Sequence, residues 1–152
     1  MRQYPERPIV GVGAIVLDGD CVLLVKRAHE PLKGEWSVPG GVVDVGETLE
    51  EAIRREVREE TCLEVEVGPI VDVLDRIRYD PNGRVKFHYV LIDFLCRPLS
   101  GTLQCASDAE EAAWAKRAHL DRYGVADATI SVIDKAIARR STAWTPREVH
   151  WE

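Results

Sequence analysis

The segment 41–63 constrains the fold of this chain most tightly, because it joins a glycine-rich turn to a helix whose start is marked in the sequence. Thr48 and Glu51 have the Thr-x-x-Glu spacing of a capping box, which predicts that a helix begins at Thr48. Apolar residues then recur at helical spacing; these are Leu49, Ala52, Ile53 and Val57. The segment therefore predicts an amphipathic helix with one buried stripe.

Three glutamates lie where this helix would ordinarily be apolar. At about 100° per residue, Glu56 and Glu60 continue the apolar stripe rather than oppose it, and Glu59 lies beside them. Like charges at this spacing destabilise a helix by roughly 0.2–0.5 kcal/mol per pair. A hard divalent cation relieves the repulsion, since Mg2+ takes one or two carboxylates and keeps positions for water and phosphate. The pattern favours a site for Mg2+, with Mn2+ as the alternative.

The same segment resembles the Nudix box, Gly-x5-Glu-x7-Arg-Glu-apolar-x-Glu-Glu-x-Gly-apolar. The matching residues are Gly41, Glu47, Arg55, Glu56, Val57, Glu59, Glu60 and Leu63. Cys62 stands where the box has a glycine. A glycine just past a helix end takes the left-handed conformation, which costs a residue with a Cβ roughly 1–2 kcal/mol. We therefore expect a strained helix exit and unaltered acids.

The resemblance implies a fold class and a chemistry. The implied fold is α/β, with a mixed β-sheet between α-helices, and the implied reaction is hydrolysis of a nucleoside diphosphate linked to another group. The implied catalytic residues are Arg55, Glu56, Glu59 and Glu60. The three glutamates would also bind the metal, Glu56 would take a proton from water, and Gly40 would add a backbone carbonyl ligand. Arg55 is expected to pair with Glu47 and hold the loop against the helix.

Candidates for further ligands lie outside this segment. Residues 107–114 hold a second acid cluster, and the family often supplies another metal ligand from this region, so Asp108 and Glu111 are candidates. The equal alternative makes Asp108 a helix N-cap and places the glutamates in the first helical turn. The candidate substrate-binding residues are Arg27, Trp36 and Glu47. Packing is the favoured role for Trp36, and a solvated surface charge is the alternative for Arg27.

The choice of substrate is less constrained than the reaction. ADP-ribose or a similar nucleotide sugar is the first candidate, and a normal or damaged nucleoside triphosphate is the second. A module that senses a nucleotide without cleaving it is a further alternative, which the full set of acids disfavours. A purely structural domain is disfavoured because the acids lie on the apolar stripe.

The remaining sequence reads as one domain, residues 1–140, followed by a tail, 141–152, that could dock on the body or on a second subunit. The predicted strands are 9–17, 21–26, 63–67, 70–78, 84–96 and 102–106, and a final amphipathic helix covers 126–140. Asp18-Gly19-Asp20 is expected to turn the first hairpin. Gly68-Pro69 is expected to break the chain between two strands.

Composition excludes several classes of function. A net charge of −6 argues against a nucleic-acid polymer as partner and leaves a small nucleotide open. No apolar run approaches the roughly 18 residues of a membrane span. The four cysteines lack metal-ligand spacing, which favours reduced thiols in a cytoplasmic protein. The family resemblance makes a homodimer an additional possibility.

Overall fold

The computed structural model describes residues 3–28, 32–103 and 109–148. Its strands are β1 (Ile9–Asp18), β2 (Cys21–Arg27), β3 (Trp36–Ser37), β4 (Gly40–Val42), β5 (Glu64–Tyr79), β6 (Val85–Ser100) and β7 (Ala109–Lys116). Its helices are α1 (Leu49–Thr61) and α2 (Asp127–Arg139), with a short 3-10 helix (Arg117–Tyr123) before α2. The predicted first hairpin is confirmed, since β1 and β2 pair directly across the Gly19 turn.

The strands form a mixed sheet in the order β3-β2-β1-β6-β5, with β4 paired to β1 and β7 paired to β2. β1 runs parallel to β6, and the other pairs are antiparallel. One register row matters for the site. Gly13 of β1 lies opposite Gly40 of β4 on one side and Asp93 of β6 on the other, and Asp93 lies opposite Asp72 of β5.

A helix covers each face of the sheet. Because side chains alternate along a strand, Ala14 and Val16 of β1 pack in the core layer of α1, while Ile15 and Leu17 pack in the layer of α2. Phe94 of β6 joins the first layer. The predicted fold class, a mixed sheet between α-helices, is confirmed.

Helix α1 begins and ends as its sequence predicts. The Thr48 Oγ1 accepts a hydrogen bond from the Glu51 N–H at 3.1 Å, and the Glu51 carboxylate accepts one from the Thr48 N–H at 3.1 Å. Ile53 and Val57 are fully buried. Cys62 takes the left-handed conformation with φ 65°, so the side chain that replaces a glycine lies in the disfavoured region as expected.

The predicted break at Gly68 and Pro69 is wrong, because β5 is one continuous strand. The pairing register with β6 shifts between Val67 and Ile70, which is where the irregularity falls. β5 is the last strand of the sheet order, and the N–H missing from a proline costs little where a strand edge has no further partner. The edge strand therefore continues through the proline, with a local shift in its pairing register.

The helical alternative for the second acid cluster is also wrong for its described part. Residues 109–116 form β7, which pairs with β2 along its length. Pairing with a central strand overrides the helix propensity of a Glu- and Ala-rich segment. The predicted strand 102–106 is not present at Thr102 and Leu103, and its remaining residues lie outside the described ones.

The start of the tail packs against the body of the domain, which is one of the two arrangements expected for it. Trp144 packs against the core layer of α2, and the Arg97 guanidinium lies 4.0 Å from the centre of its ring. The Arg147 guanidinium pairs with the Glu50 carboxylate of α1 at 2.9 Å. Within the described ranges, no helix is both long and apolar enough to cross a membrane.

Candidate active site

Arg55 organises the start of the site. Its Nε donates to the Glu47 carboxylate at 2.7 Å and its Nη2 donates to the same carboxylate at 3.0 Å. Nη2 also donates to the Val42 carbonyl of β4 at 3.0 Å, and Nη1 donates to Glu56 at 2.8 Å. The expected pairing of Arg55 with Glu47 is thus present, and it ties the loop before α1 to both the helix and β4.

This network keeps Arg55 and Glu47 charged. The Arg55 guanidinium lowers the pKa of Glu47, and the hydrogen bonds that Arg55 donates to Glu47 raise the pKa of Arg55. Glu59 is a weaker partner, with its carboxylate 3.4 Å from Arg55 Nη1 and its side chain 40% exposed. Arg55 therefore contacts two of the three box glutamates that the helix pattern singled out.

Glu60 and Glu56 form a buried acidic pair. Glu60 is only 6% exposed, and its side chain shares a hydrogen bond with that of Glu56. Burial and the charge of Glu56 raise the pKa of Glu60 to about 9, while the Gly40 amide and the charge of Arg27 act in the opposite direction. Burial also raises the pKa of Glu56. Both carboxyl groups would gain from a nearby positive charge.

Gly41 leaves the space that the Glu56 carboxylate occupies. A Cβ at this position would lie 2.4 Å from the Glu56 carboxyl carbon, so a side chain there would displace the carboxylate. A Cβ at Gly40 would lie 2.1 Å from the Val12 carbonyl oxygen of β1. The glycine turn therefore brings bare backbone against both the helix acids and the sheet.

The fit of this site to a divalent cation rests on one atom. Oε2 of Glu60 is buried and has no hydrogen-bond partner among the described residues. An oxygen in that position costs free energy unless a cation or donor reaches it. Within the described part of the chain, no three carboxylate, imidazole or thiolate side chains converge as a metal-binding group, and Arg55 donates hydrogen bonds to both Glu56 and Glu59. The pair Glu56 and Glu60 thus supplies the part of the site that suits a cation.

One of the two acids predicted from the second cluster lies within the described residues. Glu111 lies on β7 opposite Lys26 of β2, and its side chain is exposed. Asp108 lies outside the described residues.

A pocket of about 480 Å³ extends from Gly40 and Gly41 across the α2 face of the sheet. Arg27 and Trp36, two of the three predicted substrate-binding residues, line it. Trp36 also packs edge-on against Tyr123 with the ring centres 5.1 Å apart, so it has both a packing contact and a pocket-facing position. Glu47 does not line the pocket and is engaged by Arg55 instead.

Several pocket residues were not identified from the sequence. Asp93 lines the pocket and is 7% exposed, and Arg76 and Arg78 of β5 line it too. A sequence signal existed for Asp93, because it is a lone acid between Ile92 and Phe94 within the otherwise apolar stretch 89–96. The arginines carried no such signal, since alternate charged residues are ordinary on an edge strand.

Comparison with known proteins places this geometry in context. The family model described as NUDIX domain matches residues 7–137. The ADP-ribose pyrophosphatase of Methanocaldococcus jannaschii is 39% identical over 105 residues, which are 69% of this chain and 60% of the relative. The human 8-oxo-dGDP phosphatase NUDT18 is 30% identical over 141 residues, which are 90% of this chain and 41% of the relative. These two curated relatives are therefore longer than the part of them that this chain matches.

The fold has a close counterpart among solved structures. The crystal structure of a MutT NUDIX hydrolase from Burkholderia pseudomallei superposes with a TM-score of 0.74 at 31% identity. The match covers 86% of this chain and 98% of that one. The mixed sheet between two helices is thus the arrangement seen in that hydrolase.

Proposed function

The chain belongs to the Nudix family, and from that premise we propose that it is a metal-dependent hydrolase of a nucleoside diphosphate linked to another group. The reaction breaks the pyrophosphate bond, and ADP-ribose or a nucleotide sugar is the first candidate substrate. The observation that carries this proposal is the buried pair of Glu56 and Glu60, with one oxygen unpartnered, beside a pocket that begins at Gly40.

The metal site in this proposal uses the acids of α1. Glu56, Glu59 and Glu60 would hold a divalent cation, with Mg2+ preferred to Mn2+, and the Gly40 carbonyl would add a backbone ligand. Asp108 and Glu111 are the candidates for an additional acid. When bound, such a cation neutralises charge on the pyrophosphate oxygens and makes a water molecule more acidic.

The other residues have roles in binding and proton transfer. Glu56 accepts the proton of the attacking water, and Arg55 holds the Glu56 carboxylate in place through the 2.8 Å hydrogen bond. Arg27 contacts a phosphate, since it lines the pocket and its charge acts on Glu60. Trp36 provides an apolar wall for the base or sugar. Glu47 acts through Arg55 rather than on the substrate.

Two alternatives follow from the relatives and from the site. Similarity to NUDT18, an 8-oxo-dGDP phosphatase, favours an oxidised or normal nucleoside di- or triphosphate as the second candidate substrate. A module that binds a nucleotide without cleaving it is the third candidate. We further expect the protein to act in the cytoplasm, and a homodimer remains a prediction.

The experiment is product analysis after incubation with Mg2+ and a substrate panel. The panel contains ADP-ribose, other nucleotide sugars, dinucleotides, and normal and oxidised nucleoside di- and triphosphates. Glu59→Gln and Glu60→Gln are expected to lose cleavage, since each removes a proposed metal ligand. Glu66→Gln is the matched control and should keep wild-type rates, because Glu66 pairs with Arg97 on the exposed part of β5 and β6.

The outcomes separate the candidates. Cleavage of one substrate class at the pyrophosphate, absent from the two site variants and present in the control, supports the hydrolase and identifies its substrate class. Binding without cleavage would instead support the sensor. Neither binding nor cleavage of any panel member would contradict the proposal.

A further inference from the structure

The pocket ends at a carboxyl group that the proposed chemistry does not use. Asp93 lies on β6 and is 7% exposed, and it lines the same pocket as Gly40 and Gly41. Gly13 of β1 is its partner across the sheet, and Gly40 is the partner of Gly13 on the other side. Adjacent strands are about 4.8 Å apart, so the backbone of Asp93 lies two strands, or about 10 Å, from the glycine turn, and its carboxyl group reaches back over Gly13, one strand from that turn.

The sheet is shaped to accommodate this carboxyl group. A Cβ at Gly13 would lie 2.1 Å from the Asp93 Oδ1, so any side chain at position 13 would displace it. Leu91, the nearest residue of β6 on the same face of the sheet, lines the pocket next to it, and Phe87 and Tyr89 line the pocket farther along the strand. The acid therefore has an apolar side chain as its neighbour on its own strand and bare backbone on the next.

The Asp93 carboxyl group accepts no hydrogen bond from any described residue. Among the described residues, the charged groups that act on the Asp93 carboxyl are Asp72 and Arg76, and neither donates a hydrogen bond to it. The cross-strand neighbour Asp72 is engaged elsewhere, by Lys135 of α2 at 2.6 Å. A buried carboxylate without donors is costly, and a ligand that brings donors removes that cost.

The charge state of Asp93 defines what such a ligand must offer. Burial raises its pKa to about 6, so the group is mostly ionised at neutral pH. An ionised carboxylate only accepts hydrogen bonds, and its two oxygens match two adjacent donors. Ligand groups with that pattern include the cis hydroxyls of a ribose and the N1–H and 2-amino edge of guanine, whereas the adenine edge alternates donor and acceptor.

We propose that Asp93 is a specificity-determining residue, whose carboxylate accepts two adjacent hydrogen-bond donors from the nucleoside or sugar part of the substrate. This inference rests on the proposed function for the identity of the ligand class. The pyrophosphate lies at the glycine turn and the acids of α1, and the donor pair lies over Gly13, about one strand spacing or roughly 5 Å from Gly40, which a sugar or nucleoside attached to the pyrophosphate reaches.

The test measures equilibrium binding of fragments that contain no pyrophosphate and cannot be hydrolysed. Calorimetry compares GMP with IMP, which lacks the 2-amino group. It also compares AMP with dAMP, and ribose 5-phosphate with its 2-deoxy form. The wild-type protein is expected to favour the complete donor pair in one comparison by roughly ten- to a hundredfold, the effect of a hydrogen bond to a charged group. The comparison that shows the preference identifies whether base or ribose supplies the donors.

Variants at Asp93 and at its neighbour decide the assignment. Asp93→Asn replaces one acceptor by a donor at constant size and should reduce the preference to less than twofold. Asp93→Ser is a second variant with the same expectation. Asp72→Asn is the matched control and should keep the preference, because Asp72 does not line the pocket.

The results are interpretable without turnover. A preference that persists in Asp93→Asn, or wild-type protein that shows no preference in any comparison, would overturn the role of Asp93. If the protein cleaves no substrate but shows a fragment preference that depends on Asp93, the role of Asp93 is supported. That result would contradict only the proposed hydrolase activity.

Discussion

At the scale of single residues, the buried carboxyl group of Asp93 is expected to make the unfolding free energy depend on pH, with or without a ligand. Its pKa is about 6 in the folded protein and about 3.9 in an unfolded chain, so the native state binds more protons between these values. The unfolding free energy must then fall as pH rises through that window, by roughly 2–3 kcal/mol for this group. Asp93→Asn removes this loss, so its stability relative to wild type should increase by that amount between about pH 4 and about pH 7.5, measured by urea unfolding.

Asp72 supplies a control of opposite sign. Lys135 lowers the pKa of Asp72, so its ionised form stabilises the fold at neutral pH and the benefit disappears as pH falls. Asp72→Asn should therefore be less stable than wild type near neutrality and equal to it in acid. Parallel pH dependence in the two variants would contradict the assignment of both pKa shifts.

At the scale of elements, the end of α1 stores strain that a single substitution can release. Cys62 has φ 65°, where a glycine is at no disadvantage. Cys62→Gly is expected to raise the unfolding free energy by about 1 kcal/mol, measured by denaturant unfolding under reducing conditions. Cys62→Ala keeps a Cβ and should give no such gain. An equal gain from alanine would show that the thiol, not the backbone, is responsible.

The same elements show which parts of this molecule a sequence can specify. The start of α1 was predictable because Thr48 and Glu51 satisfy each other locally, and the left-handed geometry at its end was expected because the Nudix box has a glycine at the position of Cys62. The continuity of β5 through Pro69 was not predictable, since it depends on β5 being at the sheet edge. The strand at 109–116 likewise depends on its partner β2 rather than on its own composition.

The candidate site likewise contains residues that could be predicted from the sequence and a residue that could not. The position of the box acids follows from spacing along one helix, and the pairing of Arg55 with Glu47 was expected from the resemblance to the Nudix box. Asp93 meets Gly13 through the parallel pairing of β6 with β1, residues 80 positions apart whose register no local pattern encodes. A site residue whose position depends on sheet register can therefore be identified only from the structure.

At the scale of the whole molecule, the acids of α1 link the stability of the domain to metal. A cation that binds only the folded state, at 100 times its Kd, adds about 2.7 kcal/mol to the unfolding free energy. For a domain of this size that corresponds to a rise in Tm of roughly 5–10 °C. Thermal unfolding with and without Mg2+ should show this rise in wild-type protein and in Glu66→Gln. Glu60→Gln should lose most of it, because Glu60 supplies the buried oxygen that lacks a partner. A full Mg2+ response in Glu60→Gln would move the metal away from this pair, and with it the proposed position of the pyrophosphate beside Gly40.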